Sequence, residues 1–259
     1  MNIVVCVKEV PAPWQVRFDA GAGQVIVAGA DAITNPFDEY GVEEALRIKE
    51  RIGGAGKVTA LTLGPAAAEK VLRSALEVGV DEAVHLKDAA FDGADVLATA
   101  RALALAIKKL GEVHLVICGR QAPDGDTGQI GPTLAAILDW PHVAFVRKIE
   151  SIAEGGPARV HRLTEAGYDV VETSLPALLT VVKEINEPRL PSLKGKMRAK
   201  SAPITTWTAK DIGADSVVSA IQVTKLSSPR GEIQGEMIAG KPEAQAAALV
   251  EKLRGLKLV

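Results

Sequence analysis

Little in this 259-residue chain suits disulfide or metal chemistry. Its two cysteines, Cys6 and Cys118, each sit inside an apolar run without CxxC spacing, so they read as reduced core thiols rather than a redox or zinc pair. His85, His114, His142 and His161 are scattered singly, which argues against a metal centre. Aromatic residues make up 3% of the chain, while Ala, Val, Leu and Gly dominate, a composition for helices packed closely on a parallel sheet. The net charge of −2 supplies no field for nucleic acid or a membrane surface. No apolar run approaches the ~18 residues that span a bilayer, and NIVVCVKEV opens the chain as a strand instead of a signal peptide, so a cytoplasmic protein is expected. Ser, His and carboxylate never cluster, and neither cysteine adjoins a basic residue, so no catalytic residue is expected.

What is present is an alternation of short apolar runs and helical patterns. Ile3–Val7, Val58–Leu63, Ala83–Leu86 and Val113–Cys118 are continuous apolar stretches of the kind covered on both faces of a sheet. Asn35 and Pro36 offer an N-cap and a proline at the first helical position ahead of residues 37–52. Gly64–Pro65 opens a second helix that Gly79 stops, and residues 94–110 form a third before Gly111. The order implies right-handed crossovers and an open α/β sheet, mostly parallel, with helices on both faces. Residues 15–17 and 24–27 flank a turn at Asp19–Gly23 as a hairpin. The second half reads as an antiparallel extension, with strands near 142–149, 158–163, 169–172 and 177–182 and turns at Gly155–Gly156 and Ala166–Gly167. The division expected is a nucleotide-binding domain over 1–207 and a C-terminal arm over 208–259. In that arm residues 231–240 form a spacer, and Pro242 starts a helix with Ala246, Leu249, Val250 and Leu253 on one face. That helix packs either on its own domain or on another subunit.

The chemistry is concentrated in GRQAPDGDTGQIG, residues 119–131, between the strand ending at Cys118 and the helix over 132–138. In an open α/β sheet, ligands bind beyond the carboxyl ends of the strands, where a glycine-rich turn lets backbone amides approach a phosphate. Gly125 and Gly128 are the residues expected at positive φ, and the following helix adds its positive dipole end. Thr127 and Gln129 offer side-chain donors. Asp124 and Asp126 would repel phosphate, so ribose, backbone amides or Arg120 are their expected partners. Neither GK[ST] nor GxGxxG is present, so a merely tight turn stays open beside a nucleotide loop. The ends of the first strand at Lys8 and of the next at Leu63, together with Asn35, belong to the same edge, and such a pocket suits a cofactor that carries its own chemistry.

One further segment stands apart. In LPALLTVVKEINEPRLPSLKGKMRAK, residues 175–200, a buried-looking strand runs into a proline-bounded basic arm. Pro188 and Pro191 exclude an uninterrupted helix across 186–191, which leaves Leu190, Leu193 and Met197 without a local core. Such side chains either fold back on their own domain or anchor in a partner.

At these residues the chain resembles the beta subunit of electron transfer flavoprotein. The resemblance rests on VVCVKEV, ITNPFDEYGVEEALRIKE, ALTLGPA with ALEVGVDEAVHL, GRQAPDGDTGQIGP and the whole arm segment, in matching order and spacing. It implies a nucleotide-binding α/β domain that pairs with a homologous alpha subunit, whose own FAD is redox-active. It places nucleotide contacts at Cys6, at Asn35, Pro36, Phe37 and Asp38, at Leu63, and at Gly119, Arg120, Gln121, Ala122, Pro123, Asp124, Gly125, Asp126, Thr127, Gly128, Gln129 and Ile130. It also places partner recognition at Glu187, Pro188, Arg189, Leu190, Leu193, Met197, Arg198 and Lys200, toward acyl-CoA dehydrogenases or similar flavoproteins. Simple carriers of this family hold AMP and read QAIDDDxNQTG in the loop. Electron-bifurcating forms hold a second FAD that takes a hydride from NADH, and Gly125, Thr127 and Gly128 are similar to that pattern. FAD is therefore expected here, with AMP as the alternative. The chain departs from the family at Pro123, where isoleucine is usual, and at Arg198, a lysine position in simple carriers. On the residues alone, a free-standing nucleotide-binding regulator and a self-sufficient dehydrogenase are the competing classes; the first needs no basic arm, and the second lacks a hydride-transfer acid or base.

Overall fold

The computed structural model describes residues 1–12, 16–19, 24–27, 32–214, 218–221, 224 and 235–259. These fall into two compact units, Met1–Arg17 with Val25–Thr224, and Phe18–Gln24 with Lys225–Val259.

The first unit is built on a nine-stranded sheet. Its strands in chain order are β1 (Ile3–Cys6), β6 (Val58–Leu63), β7 (Glu82–Leu86), β8 (Leu115–Gly119), β9 (His142–Ile152), β10 (Ala158–Thr164), β11 (Gly167–Thr173), β12 (Ala177–Val181) and β13 (Thr205–Trp207), while β2 (Glu9–Pro11) pairs with β5 (Ala32–Thr34) and β3 (Val16–Asp19) with β4 (Gln24–Val27) in two small ribbons. The expected hairpin is thus present in β3 and β4, although residues 20–23 of its turn lie outside the described residues. The sheet order is β11-β10-β9-β12-β8-β1-β6-β7-β13. All neighbours are parallel except β9–β10 and β10–β11. The antiparallel extension is therefore β9–β11 alone. β12, expected as its last strand, instead inserts parallel between β8 and β9, and all five of its residues are buried.

The helices are α1 (Pro36–Arg51), α2 (Glu69–Val78), α3 (Val96–Leu110), α4 (Ile130–Leu138) and α5 (Leu193–Ser201). α1 starts where expected: the Asn35 side chain accepts from the Phe37 amide and Pro36 fills the first helical position. Gly79 ends α2 at φ 127°, a backbone conformation glycine tolerates. α1, α2 and α5 pack with one face of the sheet around Val5, Leu72, Leu76, Ile117 and Leu179, and α3 and α4 with the other around Val4, Leu61, Leu103, Leu134 and Leu178. Because each crossover helix buries a sheet face in this way, the strands need no polar side and read as unbroken apolar runs.

The arm after β12 is held to the unit at both ends. Asn186 Nδ2 donates to Tyr40 O at 3.0 Å and to Glu44 Oε2 at 3.1 Å, and Arg189 reaches Glu43 and Glu50, both at 2.7 Å. Burial works to raise the Glu43 carboxyl, but hydrogen bonds from Arg189 and Arg47 outweigh it and hold the group below its usual range. Ser192 then caps α5 through the Gly195 amide. Arg198 donates from Nη2 to Leu76 O and Val80 O, both at 2.9 Å, completing the end of α2.

The second unit carries α6 (Pro242–Gly255), which begins at the expected proline. None of its residues is buried, and Leu249 and Val250 are exposed. Lys252 ion-pairs with Glu236, and Gln245 Nε2 donates to Ile238 O at 2.8 Å, so the visible part of the spacer returns along the helix. Residues 231–234 lie outside the described residues.

Candidate functional site

β1, β6 and β7 follow one another to one side of the sheet, and α3 then carries the chain back to place β8 on the other side of β1. The carboxyl ends of β1 and β8 thus flank the reversal of strand order, the place where open α/β sheets bind ligands. A cavity of about 560 Å³ lies there. Its floor includes Cys6 of β1, Leu61 and Leu63 of β6, and Cys118 of β8; its walls are Asn35 and Asp38 of the α1 start, most of the 119–131 loop, and Phe91, Asp95 and Thr99 around the start of α3.

Local hydrogen bonds explain how three separate chain segments are held at one edge. Asn35 is buried, and its Nδ2 donates to Gln121 O at 2.8 Å, joining the cap of α1 to the loop. Asp38, also buried, accepts from the Lys8 amide at 2.8 Å and from the Gly119 amide at 3.1 Å, so one carboxylate spans the ends of β1 and β8. A Cβ on Gly119 would lie 2.4 Å from Asp38 Oδ1, which makes glycine the residue that allows this approach. In the loop itself, Asp126 at φ 51° and Gly128 at φ 62° take the left-handed conformation. Gly128 is thus as expected, but Asp126 and not Gly125 supplies the other positive φ; the Asp126 amide donates to Ala122 O at 2.8 Å and closes a tight turn that leaves Gly125 at its tip. Asp124 pairs with Lys8 Nζ at 2.6 Å, and Asp126 accepts from Gln121 Nε2. Neither aspartate takes Arg120 as its partner.

Of the eighteen expected nucleotide contacts, fifteen line the cavity; Pro36, Phe37 and Pro123 do not. Pro36 and Phe37 form the first turn of α1 behind the wall, and Pro123 belongs to the turn below Gly125. Sequence reasoning missed the segment from Phe91 to Thr99. The strand β7 that precedes it ends on the same edge as β6, so its loop had the same claim on the cavity as the three others.

Two titratable environments bear on the chemistry. Burial pushes the Asp38 carboxyl up to about 7, against the lowering effect of its two backbone donors, Asn35 and Lys8. The Cys118 thiol is raised well above its usual value by its hydrogen bond with Cys6 and by burial, so this thiol stays protonated and inert at neutral pH. Because the native state holds the Asp38 proton to about pH 7 whereas an unfolded aspartate releases it near 4, this group favours folding fully below pH 4, and the benefit is lost as pH rises through 7. The expected loss is at most about 4 kcal/mol between those limits. Denaturant midpoints measured at pH 5 and pH 8 should converge in Asp38→Asn relative to the parent; an unchanged pH dependence would place Asp38 at an ordinary pKa.

A cavity of about 700 Å³ lies among the segments that precede β8 and β12, lined by Glu112, His114, Glu154 and Glu172. It sits at the amino ends of those strands, and three carboxylates make it a poor receptor for an anionic ligand.

The residues of the 560 Å³ cavity fit a phosphate-bearing small molecule such as a nucleotide. The volume is in the range of small-molecule sites, glycine permits close backbone approach at 119 and 128, and no heavy atom lies within 4 Å of where a Cβ on Gly125 would be.

The arm presents the other candidate surface. Leu190, Leu193 and Met197 are 90%, 76% and 66% exposed, while Ala199, on the same helix, is buried. Glu187 offers its carbonyl to Arg47 at 3.1 Å, Pro188 and Lys200 are exposed, and Arg189 and Arg198 are engaged with α1 and α2 as described.

Comparison with known proteins agrees with this geometry. Residues 23–212 match the family described as "Electron transfer flavoprotein domain". The chain is 43% identical over 265 residues to the electron transfer flavoprotein subunit beta of Thermoanaerobacterium thermosaccharolyticum, covering 100% of both chains. It is 44% identical over 260 residues to the caffeyl-CoA reductase-Etf complex subunit CarD of Acetobacterium woodii, covering 98% of each, and 40% identical to the protein FixA of Azorhizobium caulinodans, covering 84% of this chain and 78% of that one. With the family's domain over most of its length and beta subunits matching it from end to end, the chain belongs to the electron transfer flavoprotein family, among its beta subunits.

Proposed function

We propose that this chain is the half of an electron transfer flavoprotein heterodimer that holds FAD in the cavity at the ends of β1, β6 and β8, and that it works in flavin-based electron bifurcation from NADH. The carrying observation is the open tip at Gly125 combined with a lining that runs on from the loop to Asp95, the N-cap of α3, and Thr99 within it, which gives a dinucleotide more wall than a mononucleotide needs. The chemistry that FAD would supply there is acceptance of a hydride from NADH and division of its two electrons between two routes. The chain's own work is to hold and orient. The backbone at Thr127 and Gly128 and the start of α4 would hold the phosphates, while the Lys8–Asp124 pair fixes the loop against β1 and the apolar floor excludes water. A homologous alpha subunit, carrying a further FAD, is the proposed partner in the heterodimer, with α6 and its exposed apolar side chains as the contact.

Denaturing the purified heterodimer tests the reading. Two FAD per pair are expected in the supernatant; one FAD and one AMP would make this chain a simple carrier.

For the arm we infer a dehydrogenase partner acting on an acyl-CoA or similar CoA ester, a class supported by the name of the caffeyl-CoA reductase-Etf relative. The anchors at Arg189 and Arg198 hold the arm's backbone in place, so Leu190, Leu193 and Met197 are presented ready-made and little ordering entropy is lost on docking. Leu193→Ala should weaken association by about 1–3 kcal/mol, with nucleotide content and thermal stability at parental values. Electron delivery should fall at low partner concentration and recover as the partner is raised. Loss of nucleotide with partner affinity intact would remove the docking role.

A further inference from the structure

Phe145 departs from the pattern of its strand. The pairing of β9 with β12 advances from Leu179↔Val143 to Val181↔Val146, three steps against two, so β9 carries one extra residue there. Such a bulge re-aims a side chain, commonly beside a functional site. Phe145 has φ 58°, a conformation bulky residues rarely adopt, and Thr180 Oγ1 accepts its amide at 3.2 Å. Its ring leaves the core as a result and is 38% exposed.

The ring lies 5.3 Å from the guanidinium of Arg120, and Phe37 lies 6.0 Å from the same group. Arg120 Nε donates to Gln121 Oε1 at 2.8 Å. The guanidinium is therefore held by two rings and at Nε, and its two terminal nitrogens have no hydrogen-bond partner among the described residues. Arg120 lines the cavity, and the other charges there are matched. Lys8 pairs with Asp124, Asp126 accepts from Gln121, Asp38 accepts from two backbone amides, and Asp95 accepts from the amides of Ala98, Ala220 and Ile221. Among the described residues, an anionic ligand in this cavity finds one lining cation without a carboxylate partner.

We propose that Phe145 is a positioning residue that clamps Arg120 against Phe37, so that the two terminal nitrogens of Arg120 meet a phosphate of the bound nucleotide in a bidentate contact. The proposal rests on the nucleotide reading of the cavity. It also gives the bulge a purpose: without the extra residue in β9, Phe145 would follow the pleat of the strand.

The test uses the full chain with its alpha subunit, freed of nucleotide, titrated calorimetrically with AMP and with adenosine. The parent should prefer AMP by about tenfold or more, the value of a charged hydrogen bond. Arg120→Met and Phe145→Leu should both bring the AMP-to-adenosine ratio toward one while adenosine affinity is kept, and Phe145→Tyr, which retains a ring, should restore the preference. Thermal midpoints confirm that each variant is folded. A Phe145→Leu protein that keeps the parental ratio overturns the clamp, as does a variant that loses AMP and adenosine equally. A parent that binds neither ligand overturns the nucleotide reading and the clamp with it, whereas a parent that prefers AMP with unaltered variants overturns the clamp alone.

Discussion

Gly119→Ala should yield a chain that is strongly destabilised and has lost its nucleotide. The new Cβ would stand 2.4 Å from Asp38 Oδ1 and 2.7 Å from both the carbonyl carbon and Cβ of Phe37. None of these atoms can retreat easily. Asp38 is tied to two backbone amides, and Phe37 is in the first turn of a helix whose cap is bonded to Gln121 O. Relief requires α1 to tilt off β8, which opens the close contact where Gly41 faces Ile117 and separates the carboxyl ends of β1 and β8. Overpacking a site bounded by backbone is expected to cost about 3 kcal/mol or more. A denaturant midpoint measures it, and Gly125→Ala is the control, since its Cβ meets nothing within 4 Å and surface changes of that kind stay within about 0.5 kcal/mol. Parental stability in Gly119→Ala would show that α1 does not approach β8 this closely.

A second large effect is expected at Gly195→Ala, far from the cavity. A Cβ there would sit 2.1 Å from Glu77 O, a backbone atom of α2, so α5 cannot stay seated. Lifting α5 exposes Ala199 and breaks the bonds from Arg73 to Ala199 O and Ala202 O, at 2.7 and 2.6 Å, along with the cap that Arg198 places on α2. Amides over residues 193–202 should lose about 2 kcal/mol or more of hydrogen-exchange protection, and a protease should cut the arm faster. Nucleotide content should hold, because the arm and the cavity are tied to different parts of α1, the former at Glu43 and Glu50 and the latter at Asn35 and Asp38. Docking of the proposed dehydrogenase partner should fall even though none of the side chains proposed to touch it has been changed. Undiminished protection would mean that α5 packs differently.

The parts of this architecture legible in the sequence are those set by local chemistry. Asn35–Pro36 marks a helix start wherever it is placed, Gly79 and Gly111 mark ends, and a glycine-rich turn after a continuous apolar strand points to the ligand edge of an α/β sheet. The insertion of β12 between β8 and β9 was not legible, because pairing across sixty residues is decided by packing. Its unbroken ALLTV nevertheless suited a central parallel strand better than a half-exposed antiparallel one. α5 was obscured by the two prolines before it, although Ser192 carried an N-cap signal. Asp126 took the left-handed position expected of Gly125 because the turn is closed by its own amide on Ala122 O, a constraint that residue preference alone does not express. Phe145 had no signal at all: one extra residue in a strand becomes visible once the partner strand is known.

The most direct measurement is hydrogen exchange of the full chain in its heterodimer, with the nucleotide bound and after its removal. Protection on binding should concentrate at residues 119–131, with smaller gains at 6–8, 35–38 and 91–99, the segments that converge on the ends of β1, β6 and β8. Protection appearing instead at 112–114, 154–157 and 172–176 would place the ligand in the acidic cavity at the opposite strand ends and contradict the assignment of the site.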